Sequence, residues 1–142
     1  MTAPGVTYTK PLPAPDPDSL PFWEGCKEHE LCGQRCSACG VFRWQPQSLC
    51  PECHSWDFEW VSLPGTGTVY TFVVVHYSAL PAFQEELPYV VAHISLDGTG
   101  DHMRLISNLI NCPWEDVKVG MPVRVVFEDV TPEMTLPKFV PA

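Results

Sequence analysis

Basic residues are scarce in this sequence, which carries 8 lysines and arginines against 17 aspartates and glutamates, a net charge of −9. The few basic residues are scattered singly along the chain. The sequence-independent part of nucleic-acid binding comes from Lys and Arg side chains that neutralise phosphates, so this composition disfavours a nucleic-acid partner.

Long apolar runs are also missing. No stretch approaches the ~20 apolar residues of a transmembrane helix, and the start, MTAPGVTYTKPLPAPDPD, lacks the basic and apolar regions of a signal peptide. The 7 cysteines are an odd number, which suits a reducing compartment better than a disulfide framework. We therefore expect a soluble cytoplasmic protein with no membrane partner.

The strongest chemical signal is a pair of CxxC motifs, at Cys36 and Cys39 and again at Cys50 and Cys53. Each tight turn supplies two thiolates, and four thiolates complete the tetrahedral shell of zinc. Because four sulfurs leave no position for a reactive water, the expected zinc is structural. Iron in a rubredoxin-like setting has the same spacing. His54 is an alternative ligand, but the two pairs already fill the site, and we expect His54 to lie in an exposed loop.

Proline is concentrated in residues 1–17, which favours an extended arm that docks on another surface. A short amphipathic helix is predicted from Leu20 to about His29, with its N-cap at residue 18 or 19. Phe22 and Trp23 recur on this helix at helical spacing. They either pack on the body of the protein or form a partner-binding face.

After residue 64 the sequence changes to β-branched and aromatic runs separated by turn residues. Four or five short strands and one helical turn at 113–116 favour a five-stranded OB barrel. The predicted fold is mainly β: an arm and short helix (1–30), a zinc ribbon (31–62) and an OB-fold domain (63–142). The apolar loop that contains Phe83 interrupts two strong strands and is predicted to be a contact surface.

A catalytic centre is not predicted. The sequence has no GxSxG elbow, no Cys-His signature and no phosphate-binding glycine loop. Cys112 is expected to be a buried small residue, and the histidines in strand-like segments, such as His76, are expected to be satisfied barrel residues.

Several segments together resemble the family known as domain of unknown function thirty-five, a rubredoxin-like zinc ribbon followed by an OB fold. They are PLPAPDPDSLPFWEG, QRCSACG with Trp44, CPEC, GTGTVYTFVVVH, LPYVVAHISLD and VGMPVRVVFEDV with LPKFVPA. The resemblance covers nearly the whole chain, and the order of these segments makes it specific.

The resemblance implies an accessory protein that is associated with acyl-CoA and partners thiolase-superfamily enzymes. Some family members accompany thiolase-like retro-aldolases of steroid side-chain breakdown, and archaeal members bridge thiolase and hydroxymethylglutaryl-CoA synthase. It implies structural zinc on the four paired cysteines, acyl-CoA as a candidate ligand, and a helix from Leu20 that contacts the partner. It assigns no catalytic residue to this chain.

We therefore predict a non-catalytic subunit of a hetero-oligomer, with Leu20, Phe22, Trp23 and Phe83 as candidate partner-binding residues. The rival hypothesis is a stand-alone hydrolase or lyase acting on acyl-CoA through His76 or Cys112. A third hypothesis is a ribbon and OB module that binds nucleic acid, which the negative net charge of the chain disfavours.

Overall fold

The computed structural model describes residues 8–142, so the start of the predicted arm, including Pro4, lies outside the described residues. One helix and eight strands follow in chain order. They are α1 (Leu20–Lys27), β1 (Cys32–Cys36), β2 (Phe42–Arg43), β3 (Phe58–Ser62), β4 (Thr66–Val75), β5 (Tyr89–Leu96), β6 (Arg104–Leu109), β7 (Pro122–Asp129) and β8 (Thr135–Pro141). Short 3-10 turns lie at Pro81–Glu86 and Trp114–Asp116. No helix in this range has the length and apolarity needed to cross a bilayer.

The first three strands form a small antiparallel sheet in the order β2-β1-β3. Gln34 lies at its centre, opposite Arg43 on one side and Trp60 on the other. The carboxamide oxygen of Gln34, which is 1% exposed, accepts hydrogen bonds from Nε of Arg43 and the backbone N–H of Gln47. These bonds fix the segment after β2 that leads to the second CxxC motif.

The other five strands close a barrel in the order β4-β5-β6-β8-β7, the architecture of an OB fold. Strand β5 alternates strictly between half-buried and buried residues, with Val90, Ala92, Ile94 and Leu96 pointing inward. Gly67 lets β4 cross closely over β5, since a Cβ atom there would lie 2.4 Å from the carbonyl oxygen of Ser95.

The closing strand β8 is the element that the sequence patterns missed, because Pro137 and Pro141 argue against a strand inside a sheet. It pairs along its length with β7 but shares a single parallel pair with β6, between Leu109 and Phe139. A hydrogen bond from the Ser107 hydroxyl to the carbonyl oxygen of Pro137 adds to this weak seam.

Helix α1 ends at Lys27, two residues before the predicted end, because His29 adopts a positive φ of 61°. Ser19 occupies the N-cap position but its hydroxyl does not cap the helix. Instead, the hydroxyl accepts a hydrogen bond from the backbone N–H of Asp16, and the Asp16 carboxylate accepts one from the backbone N–H of Ser19.

One hydrophobic core runs through the helix, the ribbon and the barrel. Phe22 of α1, Phe42 of β2 and Phe139 of β8 belong to the same buried cluster. The described part of the arm lies against the barrel: Lys10 forms an ion pair with Glu86 in the first 3-10 turn.

The residues after α1 are tied to the barrel through His29. Its Nε2 atom lies 2.9 Å from Oδ1 of Asp129, and its ring stacks on Phe127 with centroids 5.2 Å apart. The Thr135 hydroxyl donates to the same carboxylate oxygen at 2.6 Å. Asp129 therefore joins the end of the helix to both strands of the closing hairpin.

The substitution Asp129→Asn is expected to remove a pH-dependent part of the stability. Hydrogen bonds from Thr135 and His29 hold the pKa of Asp129 below its ordinary 3.8. Such a carboxylate stabilises the fold above the pKa of the unfolded chain, and this contribution is lost as the pH falls through the folded pKa. In urea unfolding, the free energy of unfolding of wild type should therefore exceed that of the variant by a larger amount at about pH 5 than at about pH 3. The control Glu133→Gln, in an exposed turn, should show no such change, and a pH-independent difference for Asp129→Asn would contradict the prediction.

Candidate metal centre

The two CxxC motifs fold into matching turns that face each other. In each turn the backbone N–H of the second cysteine points at the sulfur of the first: Cys39 to Cys36 at 3.4 Å, and Cys53 to Cys50 at 3.5 Å. The residue after each pair has a positive φ, 80° at Gly40 and 62° at the histidine that follows Cys53. Glycine adopts this conformation without steric cost, as the sequence predicted for Gly40.

The structure brings the four cysteine sulfurs together, all within 4.8 Å of one another. Across the two turns, the sulfurs of Cys36 and Cys53 are 3.5 Å apart and those of Cys39 and Cys50 are 3.7 Å apart. Sulfurs bound ~2.3 Å from one tetrahedral zinc lie ~3.8 Å from each other. The donor set and its spacing therefore fit a four-coordinate thiolate site with no position left for water.

The environment favours thiolate at the first cysteine of each pair, whereas the pKa values of Cys39 and Cys53, whose sulfurs contact those of Cys50 and Cys36, are raised. The backbone N–H of Cys39 is the main cause that lowers the pKa of Cys36 to about 6, and the backbone N–H of Cys53 likewise lowers the pKa of Cys50. Cys36 and Cys50 are fully buried, whereas Cys39 and Cys53 are exposed. One side of the cluster is thus anchored in the core and the other faces outward.

The remaining cysteines have the opposite character. Burial raises the pKa of Cys26 to about 12 and also raises the pKa values of Cys32 and Cys112. Cys112 is partly exposed and lines a cleft, in contrast to the expectation that it would be buried. A thiol held in the protonated form is a poor nucleophile, and none of these three cysteines belongs to the four-sulfur cluster.

The groups named for the rival catalytic hypothesis have other contacts. The ring of His76 packs edge-on against Trp114, with centroids 5.3 Å apart. The Cys112 thiol lies 3.5 Å from the carbonyl oxygen of Pro113 and donates toward it. His93 points outward from the barrel and packs on Tyr70.

The candidate partner-binding residues occupy different environments. Leu20 is 45% exposed, while Phe22 is 0% exposed and packs on Trp44 with ring centroids 4.7 Å apart. Trp23 is half-buried against the same core, and Phe83 is half-buried near Tyr89. For Phe22, the packing interpretation therefore describes the structure of this chain.

Two clefts of about 780 Å³ and 740 Å³ flank the arm. Both reach Lys138, whose amino group donates to the side-chain oxygen of Asn108 at 2.7 Å. Burial is the main cause that lowers the pKa of Lys138, with Glu128 3.8 Å away acting in the opposite direction. No sequence pattern singles out this lysine, because it lies in β8, the strand that the patterns missed.

A four-cysteine cluster on two facing turns, followed by a closed five-stranded barrel, defines a zinc-ribbon and OB-fold protein. Two family models match the chain in the same order. The ChsH2 rubredoxin-like zinc ribbon domain matches residues 23–59, and the ChsH2 C-terminal OB-fold domain matches residues 60–128. The chain belongs to the DUF35 family.

Three related proteins illustrate the range of the family. The chain is 41% identical over 94% of its length to a probable enoyl-CoA hydratase alpha subunit of Thermomonospora curvata, but spans only 40% of that protein. It is 37% identical to a DUF35 domain-containing scaffold protein of Methanocaldococcus jannaschii, with 76% of this chain and 75% of the relative aligned. The solved structure of an Ltp2-ChsH2(DUF35) aldolase contains a chain that is 39% identical, with a TM-score of 0.82 over 92% of this chain and 98% of that one.

Proposed function

We propose that this chain is a non-catalytic accessory subunit that holds a structural zinc and supports the activity of a partner enzyme. The observation that carries the proposal is the match to the chain in the Ltp2-ChsH2(DUF35) aldolase, which extends over 98% of that chain. Almost every residue of that chain in the aldolase therefore has an aligned counterpart in this protein. The chain would form three units, at residues 1–30, 31–62 and 63–142, around its shared core.

The proposed zinc ligands are Cys36, Cys39, Cys50 and Cys53. The spacing of their sulfurs supports this set, since four sulfurs within 4.8 Å of one another fit the shell of one tetrahedral zinc. The metal would cross-link the two turns. It would provide no reactive site, since sulfur fills all four of its coordination positions. The chain's own contribution is to hold these turns against the core.

The proposed partner is a thiolase-superfamily protein that acts as a retro-aldolase on the acyl-CoA of a steroid side chain. Support comes from the aldolase named in the solved structure and from the family resemblance of the sequence. Under this proposal acyl-CoA is the substrate of the complex, and bond cleavage takes place on the partner. The acidic surface of this chain suits contact with a protein better than contact with nucleic acid.

A second candidate function is a scaffold that bridges a thiolase and hydroxymethylglutaryl-CoA synthase. The observation that favours it is the archaeal relative named as a DUF35 scaffold protein, of which this chain covers 75%. The two candidates differ in the number of enzymes in the complex. The mass of the assembled complex therefore distinguishes them.

Co-expression with the Ltp2 component of the related aldolase tests the proposal. The two proteins should elute together on size exclusion, and the partner alone should be less active on acyl-CoA than the complex. Separate elution with full activity of the partner alone would overturn the proposed function. Turnover of acyl-CoA by the purified chain alone would instead favour the rival enzyme.

The purified chain is expected to contain about one zinc ion per molecule and to be colourless. Elemental analysis by mass spectrometry measures the metal content. A red protein with iron in place of zinc would show a rubredoxin-type centre and would contradict the assignment of zinc. The outcome is independent of the partner, so it tests the metal assignment alone.

A further inference from the structure

On the outer surface of three barrel strands, several exposed apolar side chains lie where water would favour polar residues. Val73 of β4 pairs with Val91 of β5, and His93 of β5 pairs with Ile106 of β6. Tyr70, Val73 and Ile106 are 50%, 60% and 67% exposed. We call the surface formed by Tyr70, Val73, Val91, His93 and Ile106 the apolar face.

The composition of these strands is unusual for this chain. Antiparallel sheets with one solvated side normally place polar residues outward. Although the chain has 17 acidic residues, none lies in β4, β5 or β6, whose sequences are TGTVYTFVVV, YVVAHISL and RLISNL. The strands that form the apolar face therefore carry no carboxylates, and the carboxylate of Asp101 lies at its edge beside Arg104.

One corner of the apolar face carries an ordered polar group. The guanidinium of Arg104 lies 4.0 Å from the centroid of the Tyr70 ring, and one of its amino groups donates to Asp101 at 3.0 Å. The ring of His93 meets Tyr70 edge-on at 5.8 Å. Tyrosine and arginine held in one conformation lose little entropy on binding, which is why these residues are common in the centres of protein interfaces.

The apolar face also continues toward helix α1. Ile106 and Trp23 line the same cleft, together with Arg104. Leu20, 45% exposed, precedes Trp23 on the same helix. An occupant of the face that extends to the helix therefore also meets charged side chains of this cleft, among them Arg104 and Asp16.

Charge decides which occupant fits. A second copy of this chain also carries −9, and like net charge opposes association of two copies. A different subunit escapes this repulsion if its contacting surface is apolar and presents hydrogen-bond acceptors opposite Tyr70 and Arg104. Contiguous exposed apolar patches commonly mark such contacts.

We propose that the apolar face of β4, β5 and β6 is the surface on which the partner subunit docks. This inference rests on the proposed accessory function and assigns the main contact to the barrel, with the helix at its edge. The partner surface it fits is apolar, with carbonyl or carboxylate oxygens near Arg104. The ribbon and its metal cluster lie outside this surface.

Charged substitutions at two equally exposed apolar positions provide the test. Ile106 and Val119 are 67% and 66% exposed, but Val119 lies outside the apolar face. With the purified Ltp2 component of the related aldolase as the probe, Ile106→Glu should weaken binding on the order of 30-fold or more. Val119→Glu should leave the dissociation constant within about threefold of wild type. Val73→Glu should behave like Ile106→Glu, and thermal unfolding of each variant checks that the fold is kept.

The outcomes separate this inference from the proposed function. If the wild-type chain binds Ltp2 and both Ile106→Glu and Val73→Glu bind it as tightly, the apolar face is not the docking surface. The proposed accessory function is unaffected by that result. A wild-type chain that does not bind Ltp2 overturns the accessory function and this inference with it. If sedimentation shows that the chain alone is a dimer that Ile106→Glu dissociates, the occupant is a second copy and the proposal is wrong.

Discussion

The substitution Cys50→Ser is expected to abolish stoichiometric zinc binding and to unfold the ribbon. Cys50 is fully buried, its sulfur lies 3.7 Å from that of Cys39, and it accepts the N–H of Cys53. Serine at neutral pH supplies no thiolate, so the site keeps three ligands. Structural zinc contributes about 10–16 kcal/mol in isolated zinc-finger peptides, and losing one ligand should remove a large part of such a contribution. Metal analysis and urea unfolding measure both effects.

A matched control for this experiment is Cys112→Ser, which changes a partly exposed cysteine outside the cluster. It should retain about one zinc per chain and unfold close to wild type. Treating wild type with a strong chelator should reproduce the loss of stability seen in Cys50→Ser. Full zinc content in Cys50→Ser would contradict the four-thiolate site. Zinc retained in Cys53→Ser but lost when His54 is also replaced would identify His54 as a ligand.

The substitution Phe22→Ala is expected to destabilise the zinc-loaded chain by about 3–5 kcal/mol. The Phe22 side chain is 0% exposed and lies between Trp23 and Trp44, at centroid distances of 5.1 Å and 4.7 Å. Removing the ring leaves a cavity where the helix meets the ribbon, and the fixed backbone of both elements limits collapse. Urea unfolding at saturating zinc gives the difference in unfolding free energy.

The control lies on the same helix. Leu20→Ala truncates a side chain that is 45% exposed and should change the stability by less than about 0.5 kcal/mol. If Phe22→Ala were as stable as Leu20→Ala, the helix would not be a part of the core. Binding to the partner should fall in Phe22→Ala only to the extent that the fold is lost, since the ring is not on the surface.

The OB barrel could be predicted in outline, but its closing strand could not. The runs that became β4 to β7 are dense in β-branched residues, so their strand character is visible locally. Strand β8 contains two prolines, and a proline-bearing segment is accepted into a sheet only because of the neighbours it meets there. Its pairing with β7 is a local hairpin, but its pair with β6, between Leu109 and Phe139, joins residues that are distant in the chain.

The apolar face could not be predicted from the sequence, for a related reason. Runs such as TVYTFVVV are apolar or aromatic at positions of both parities, so a period of two does not reveal which residues point outward. A register shift between Val69 and Thr71 then changes the side on which the following residues fall. Only the paired strands show that Val73 is 60% exposed while Val69 is 1% exposed.

The sequence by itself determined the four-cysteine cluster, because each turn is made by residues three apart and its N–H to sulfur bonds close within that turn. It also determined the β character of the second half, through propensities that act residue by residue. The tertiary structure alone decided that Phe22 is core, that β8 closes the barrel and that Ile106 faces outward. These features depend on contacts between segments far apart in the chain, which no local pattern encodes.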